Sequence, residues 1–432
     1  MRSSSSLAPL LLGCATLLAC SSTRLHEDPK PTPPLSEARS LAERLPPNES
    51  LDTVRRLTAG TTDFAMDLVR AVGGDDNLVF SPHSIALAMA MTYAGAASET
   101  KTQMAEVLHF DLPDPELSAA FNTLDQWLAM RETSATTADD EPFRLRLANH
   151  LWAQAGYEFL PSYLDVLAEY YGAGVRLVDF ENEPDEARRL VNREVFRATQ
   201  GRIEELLKDG SIDASTRFVL TNAVYFSAGW AEPFVRSRTT EETFVKEDGT
   251  TVRVPLMHGQ VRGFYAEGSA YRAAALPYDG NEVAMLFVLP KEGTVAELES
   301  MLDAKKIEAI ASSLEPVMFT FRLPRFTIRT PLPLSATLKA LGMTDAFVPY
   351  QADFSRMDGK QDLYLQDVVH EAFVKVDENG TEAAAATAVI GGIVSLPELV
   401  DFSVDRPFLF LVRDLETGAT LFYGRVTDPS PP

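Results

Sequence analysis

Hydrolytic chemistry would need a serine, cysteine or carboxylate set beside a base, and the chain offers no such arrangement by spacing. A nucleophile elbow G-x-S-x-G is absent. HEAFV, from His370, opens like a zinc-protease motif but has no second histidine four residues on. The phosphate-binding patterns G-x-G-x-x-G and G-x-x-x-x-G-K-[ST] do not occur, and the six histidines are scattered without metal-ligand spacing. These residues predict no catalysis of the chain's own, no cofactor and no metal. Attention moves instead to GTEAAAATAVIGG, Gly380 to Gly392, which has no large side chain, no proline and one charge, Glu382. It follows a strand-like run, VHEAFVKVDEN, and precedes another, FLFLV. Alanine favours helix, yet no amphipathic stripe is present.

Composition narrows the partners. The 432 residues carry 39 basic and 62 acidic side chains, a formal net charge of -23. That balance excludes the basic footprint that nucleic acid requires. The two cysteines, Cys14 and Cys20, both lie near the N-terminus. MRSSSSLAPLLLGCATLLAC has Arg2, an apolar run and a small residue before a cysteine, which reads as an export signal. LLAC, ending at Cys20, resembles a bacterial lipobox, in which the cysteine is lipidated and becomes the mature N-terminus. LLGC at Cys14 is a second match with a shorter apolar run. The expectation is a lipoprotein signal over residues 1–20 and a membrane-attached, exported protein of the bacterial cell envelope. A plain cleaved signal would leave it extracellular. No later run is long enough to span a membrane. Residues 21–55, rich in Pro, Ser and charge, read as a tether, and residues 56–432 as one domain.

The elements that must position any site read as α+β. TTDFAMDLVRAV puts Phe64, Leu68, Ala71 and Val72 on one face, with Thr61 or Thr62 as cap. NLVFSPHSIALAMAMTYAG has Ser81 as N-cap, Pro82 in the first turn and Gly95 as a stop; its body is apolar nearly all round, so it should be buried. DEARRLVNREVFRATQGRIEELL reads as a further helix or helix pair. RLRLANHLWAQ, RFVLTNAVYF, VAMLFVLP, VMFTFRLPRF, PFLFLV and ATLFYGRV read as strands.

These blocks together resemble the serpin family over roughly Leu57 to Pro429. NLVFSPHSIALAMAMTYAGAASETKTQM is similar to its buried second helix, and TRFVLTNAVYFSAGWAEPF, LPYDGNEVAMLFVLP, LPRFTI, LKALGMTDAF, VVHEAFVKVDENGTEAAAATA and RPFLFLVRD follow in the family's order. Glu194 departs from the usual Trp, Glu371 from the usual Lys of His-Lys-Ala, and Gln366 from a frequent Ser. The resemblance implies a large central β-sheet with additional sheets, about eight or nine helices, and an exposed reactive-centre loop at about 378–402. It implies an inhibitor of serine proteases, a metastable single-use trap in a 1:1 covalent complex, acting as a monomer. The protease cleaves the loop, whose N-terminal part then enters the large sheet.

The implied hinge and inserting residues are Glu378, Gly380, Thr381, Glu382, Ala383, Ala384, Ala385, Ala386 and Thr387. One parity, Thr381, Ala383, Ala385, Thr387 and Val389, is small or β-branched and uncharged, as a buried sheet face needs. The family's spacing places the reactive bond at Val394–Ser395, with Ile393–Val394 as alternative. A small β-branched residue there suits elastase-like, chymotrypsin-like or subtilisin-like targets; no Arg or Lys stands between Gly380 and Asp405. Ser81, Ser84, Asn222 and His370 match the polar shutter beneath the sheet, and Trp230 the aromatic of the breach at its top. The competing expectations are a non-inhibitory binding or chaperone serpin and an inhibitor of papain-like cysteine proteases.

Overall fold

A computed structural model of the chain describes residues 36–131, 144–381 and 399–431. The strands in chain order are β1 (Ser36–Ala38), β2 (Leu78–Phe80), β3 (Arg144–Gln154), β4 (Val175–Val178), β5 (Phe218–Gly229), β6 (Thr240–Val245), β7 (Thr251–Glu267), β8 (Tyr271–Pro277), β9 (Val283–Pro290), β10 (Glu315–Pro324), β11 (Phe326–Pro333), β12 (Asp367–Asp377), β13 (Gly380–Thr381), β14 (Leu399–Ser403), β15 (Phe408–Asp414) and β16 (Thr420–Val426). The helices are α1 (Leu51–Val72), α2 (Pro82–Tyr93), α3 (Ser98–Leu108), α4 (Glu116–Met130), α5 (Pro161–Tyr171), α6 (Pro184–Ala198), α7 (Val295–Ser300), α8 (Ala304–Ser312), α9 (Leu334–Leu341) and α10 (Ser355–Asp358).

Among the described residues, one sheet of seven strands has the order β1-β4-β3-β5-β13-β12-β11, and β5 also pairs directly with β12. The second sheet runs β14-β10-β7-β8-β9-β15-β16-β2, with β6 on β7. The α+β architecture with a large sheet is therefore present. The run VMFTFRLPRF, continuous in sequence, divides between the sheets: β10 ends at Pro324, β11 begins at Phe326, and Arg325 stands at the junction.

Helix α2 follows its sequence signals. Ser81 Oγ accepts from Ser84 N, Pro82 occupies the first turn, and all its residues are buried. Gly95 stands just past the end of the helix, as expected of a stop, and its N–H bonds the Thr92 carbonyl. The helix closes on Ala94, and a Cβ at Gly95 would lie 2.2 Å from Met357 Cγ. Helix α1 begins earlier than its apolar stripe suggested. Ser50 caps it, and Thr61 and Thr62 bond carbonyls one turn back instead of capping. The expected pair in DEARRLVNREVFRATQGRIEELL is one helix, α6; Ile203, Leu206 and Leu207 are buried on an irregular segment after it.

The tether expected over residues 21–55 gives way to structure by Ser36. β1 pairs with β4, and the chain from Arg39 to Glu49 lies across α4 and α5 before α1 begins. Polar side chains hold this strap. Ser40 donates to Asp165, Arg44 to Asn122 (2.9 Å) and Asp125 (2.6 Å), and Gln126 to the Leu45 carbonyl. A composition rich in Pro and charge suggested a free linker because these contacts are long-range.

Candidate functional site

The seam between β5 and β12 organises the site. These neighbours run parallel and pair from Asp367–Val219 to Phe373–Tyr225. Past Phe373 they part, and β13 enters the gap. Thr381 pairs with Val376 of β12 on one side and with Ala228 of β5 on the other, antiparallel to both. The first two residues of GTEAAAATAVIGG thus already form a short strand inside the large sheet.

Each flank of that wedge has a visible cause. Gly380 takes φ +153°, and a Cβ there would sit 2.1 Å from the Ala228 carbonyl oxygen, so only glycine passes. Thr381 is fully buried, and its Oγ1 lies 2.7 Å from the Tyr278 hydroxyl. Trp230 stacks on Tyr278 with ring centroids 4.7 Å apart and donates Nε1–H to the Asp377 carbonyl (3.1 Å). Its own backbone N–H reaches the Asn379 carbonyl, and that of Phe234 reaches Glu378. The Glu378 side chain is buried under Arg325, whose Nε lies 2.9 Å from both carboxylate oxygens, and accepts from Thr239. Burial opposes the Glu378 charge, but these donors outweigh it and hold its pKa below the usual range.

Lower on the same seam lies a polar row. Register places His370 of β12 beside Asn222 of β5, and Asn222 beside Asn149 of β3. The backbone N–H of Ser81 donates to His370 Nε2 (3.1 Å), so Nδ1 carries the proton and donates to Asn222 Oδ1. Asn222 Nδ2 donates to the Ser84 carbonyl (2.7 Å) and to Asn149; Ser84 Oγ also donates to Asn149 Oδ1 (2.9 Å). The row crosses three strands and ties them to the N-terminus of α2. Burial drives the His370 pKa down to about 3, so the ring is neutral. Over the seam, Val195 of α6 and the following Ile203 and Leu206 pack on Ala148 and Ala223, with Val369 beside them.

The structure therefore brings together Ser81, Ser84, Asn222 and His370, and places Trp230 against Glu378, Gly380 and Thr381. The sequence reading missed Asn149, Tyr278, Arg325 and Thr239. The first three sit within quoted blocks, LANHLWAQ, LPYDG and LPRF, but their partners are set by register and by the junction of two sheets. The loop expected over 378–402 is shorter at both ends. Glu378 and Asn379 make the turn after β12, Gly380 and Thr381 pair in the sheet as β13, and β14 pairs with β10, with Phe402 stacked on Phe321 at 5.2 Å. Glu382, Ala383, Ala384, Ala385, Ala386, Thr387, Ile393, Val394, Ser395 and Cys20 lie outside the described residues.

The departures have local partners. Glu371, buried on β12, is paired with Arg329 of β11. Glu194 bridges Arg176 of β4 (3.3 Å) and Arg197 (2.8 Å), so ion pairs stand where an aromatic was expected.

Comparison with known proteins agrees with this geometry. The family model described as Serpin (serine protease inhibitor) matches residues 59–429. An uncharacterised serpin-like protein of Thermococcus kodakarensis is 39% identical over 371 residues, covering 85% of this chain and 84% of that one. The leukocyte elastase inhibitor of Homo sapiens is 34% identical over 388 residues, covering 87% of this chain and 100% of that protein. The native-state crystal structure of the thermophilic serpin Tengpin superposes with a TM-score of 0.78 at 27% identity, covering 91% of this chain and 99% of that one.

Proposed function

This chain belongs to the serpin family, and from that premise we propose that it is an inhibitory serpin that traps serine proteases by loop cleavage and insertion. The observation that carries the reading is the β13 wedge: the root of the loop already pairs with both neighbours that a new central strand would need. In the proposed reaction the protease serine attacks the Val394 carbonyl. The amine of Ser395 leaves with a proton, and an ester joins Val394 to the protease. Residues 382–394 then extend β13 down the seam. On the order of ten new backbone hydrogen bonds at ~1 kcal/mol each would stabilise the product by roughly 10 kcal/mol, so the starting fold is held by a barrier. Translocation misaligns the protease's catalytic groups, and the ester persists. The chain has no turnover in this scheme.

The small β-branched Val394, together with relatives that carry the name leukocyte elastase inhibitor, supports an elastase-like target; chymotrypsin-like and subtilisin-like proteases fit the same pocket argument. Export and lipidation at Cys20, and a monomeric state, belong to the same proposal. The test is to mix the chain beginning at Ser21 with an elastase and resolve the products on a denaturing gel. A covalent band near the summed mass supports the trap. Clean cleavage between 393 and 395 with protease activity retained overturns it in favour of a non-inhibitory serpin. A mature N-terminus of diacylated Cys20 in the intact-mass spectrum tests the anchor separately.

A further inference from the structure

One more strand between β5 and β12 widens the large sheet by a strand spacing, ~4.8 Å. The block on one side of the gap, β1, β4, β3 and β5, must then move relative to β12 and β11. Connections and packing show which helices go with each side. Helix α5 is joined to β3 through residues 155–160 and to β4 through residues 172–174, so it travels with the block. β12 and β11 stay with the body. β2 of the second sheet packs on both, α9 packs on β12 and on α1, and α1 packs on α4. Arg131, at the end of α4, fixes that helix to the second sheet: its Nε lies 2.9 Å from Asp414 of β15, and its other nitrogens reach Glu282 and Glu416.

The strap crosses from the block to the body. Its first part is bonded to the block. Ser36, Glu37 and Ala38 pair with β4, Arg39 Nη2 donates to the Gly172 carbonyl (3.0 Å), Ser40 donates to Asp165, and Leu45 N donates to Glu169 O of α5 (2.8 Å). Its second part is bonded to α4. Arg44 donates to Asn122 (2.9 Å) and Asp125 (2.6 Å), Asn122 Nδ2 donates to the Leu45 carbonyl (3.0 Å), and the Asn48 and Glu49 N–H groups donate to Thr123 Oγ1 (3.2 Å each). Asn122 and Thr123 are buried polar residues on α4, and the strap supplies partners to both. Hydrogen bonds fail beyond ~3.5 Å, so a shift of one strand spacing exceeds what these can stretch. The joint between block and body runs through the strap between its α5 and α4 contacts.

We propose that the strap Ser36–Ser50 is a latch on the outer edge of the large sheet. By tying β4 and α5 to α4 it opposes the opening of the sheet, and it lets go at Arg44, Asn48 and Glu49 when a strand enters. The latch rests on the insertion reading, and its test separates the two. Hydrogen exchange is measured on the chain intact and after an elastase has cut it between 393 and 395. The melting temperature of the cut chain reports insertion first; no rise removes insertion, and the latch with it. With a rise, the Asn48 and Glu49 amides should exchange about tenfold faster or more in the cut chain than in the intact one. The Leu45 amide, whose partner travels with the block, should keep its rate. Unchanged exchange at Asn48 and Glu49 overturns the latch and leaves insertion standing. Arg44→Ala with Thr123→Val detaches the strap from α4. The melting temperature of the intact variant should fall below that of the intact parent, whereas the two cut chains should melt together, because cutting has already broken those bonds. An equal fall in both forms would make the strap a brace in either state and overturn the proposal.

Discussion

The two ends of the β5–β12 seam are held by different chemistry. At the hinge end the strands already stand apart, and the gap is filled by two residues, a hydroxyl contact from Thr381 to Tyr278 and one ion pair under Glu378. Further down the strands pair directly from 367 to 373, and His370, Asn222 and Asn149 bind them to one another and to α2. An opening sheet can begin at the first end with no backbone pair between β5 and β12 to break. At the second it must unmake a buried network whose members would be left without partners. Entry and delay are thus separated along one seam, and each can be altered alone.

The largest effect is expected from Thr381→Arg. The side chain is fully buried between two strands, and an unpaired charge there costs several kcal/mol, so the wedge should be expelled. The stoichiometry of inhibition should rise at least tenfold, with cleavage at the loop preserved; an unchanged stoichiometry would separate β13 from insertion. Next comes Asn222→Ala, which leaves His370 Nδ1–H unpaired at the lower end and Asn149 held by Ser84 alone. A loss of about 1–3 kcal/mol is expected, seen as a lower melting temperature and a shorter half-life of inhibitory activity at 37 °C. If melting temperature and half-life are both unchanged, the polar row does not hold the seam.

Acid should act on the lower end before the hinge. Burial lowers the His370 pKa to about 3 and the His83 pKa to about 4, both from 6.5. As pH falls below 6.5, the unfolded chain takes up protons that the native rings refuse, and stability is lost down to about pH 4 for His83 and about pH 3 for His370. The slope is at most about 1.4 kcal/mol per pH unit for each ring. Glu378 has the opposite chemistry: its depressed pKa keeps the Arg325 pair charged through the same window. The urea midpoint should therefore be lower at pH 5.5 than at pH 7, with a smaller drop in His83→Gln; a flat profile would contradict the buried neutral rings. Tyr278→Phe should have the smallest effect, about 0.5–1.5 kcal/mol from one lost hydrogen bond. It should quicken release of the wedge, read by exchange at the Thr381 amide, and leave the lower seam untouched.

Legibility followed the range of the interactions involved. Ser81, Pro82 and the all-apolar body of α2 announced a buried capped helix because cap and burial pattern are local. Glycine at 380 was legible as a hinge, though the collision with the Ala228 carbonyl that requires it was not. Asn149 and Asn222 are 73 residues apart, and only strand register sets them side by side. Arg325 gained its role by standing where one apolar run divides between two sheets. Glu371 read only as a departure from the usual Lys; its partner Arg329 comes from the neighbouring strand. The strap was mistaken for linker for the same reason: Leu41 is wholly exposed, and hydrogen bonds to distant helices do the holding.

Residue order alone determined the family, the α+β class and the small-residue character of the segment after Gly380, because periodicity, caps and side-chain size are properties of neighbours along the chain. Tertiary structure decided how far that segment has entered the sheet, which groups lock the seam below it, and that the chain from Ser36 to Glu49 is docked against β4, α4 and α5. Each of those depends on pairing between residues far apart in sequence, and shifting a strand by one residue would have exchanged every inward side chain for an outward one.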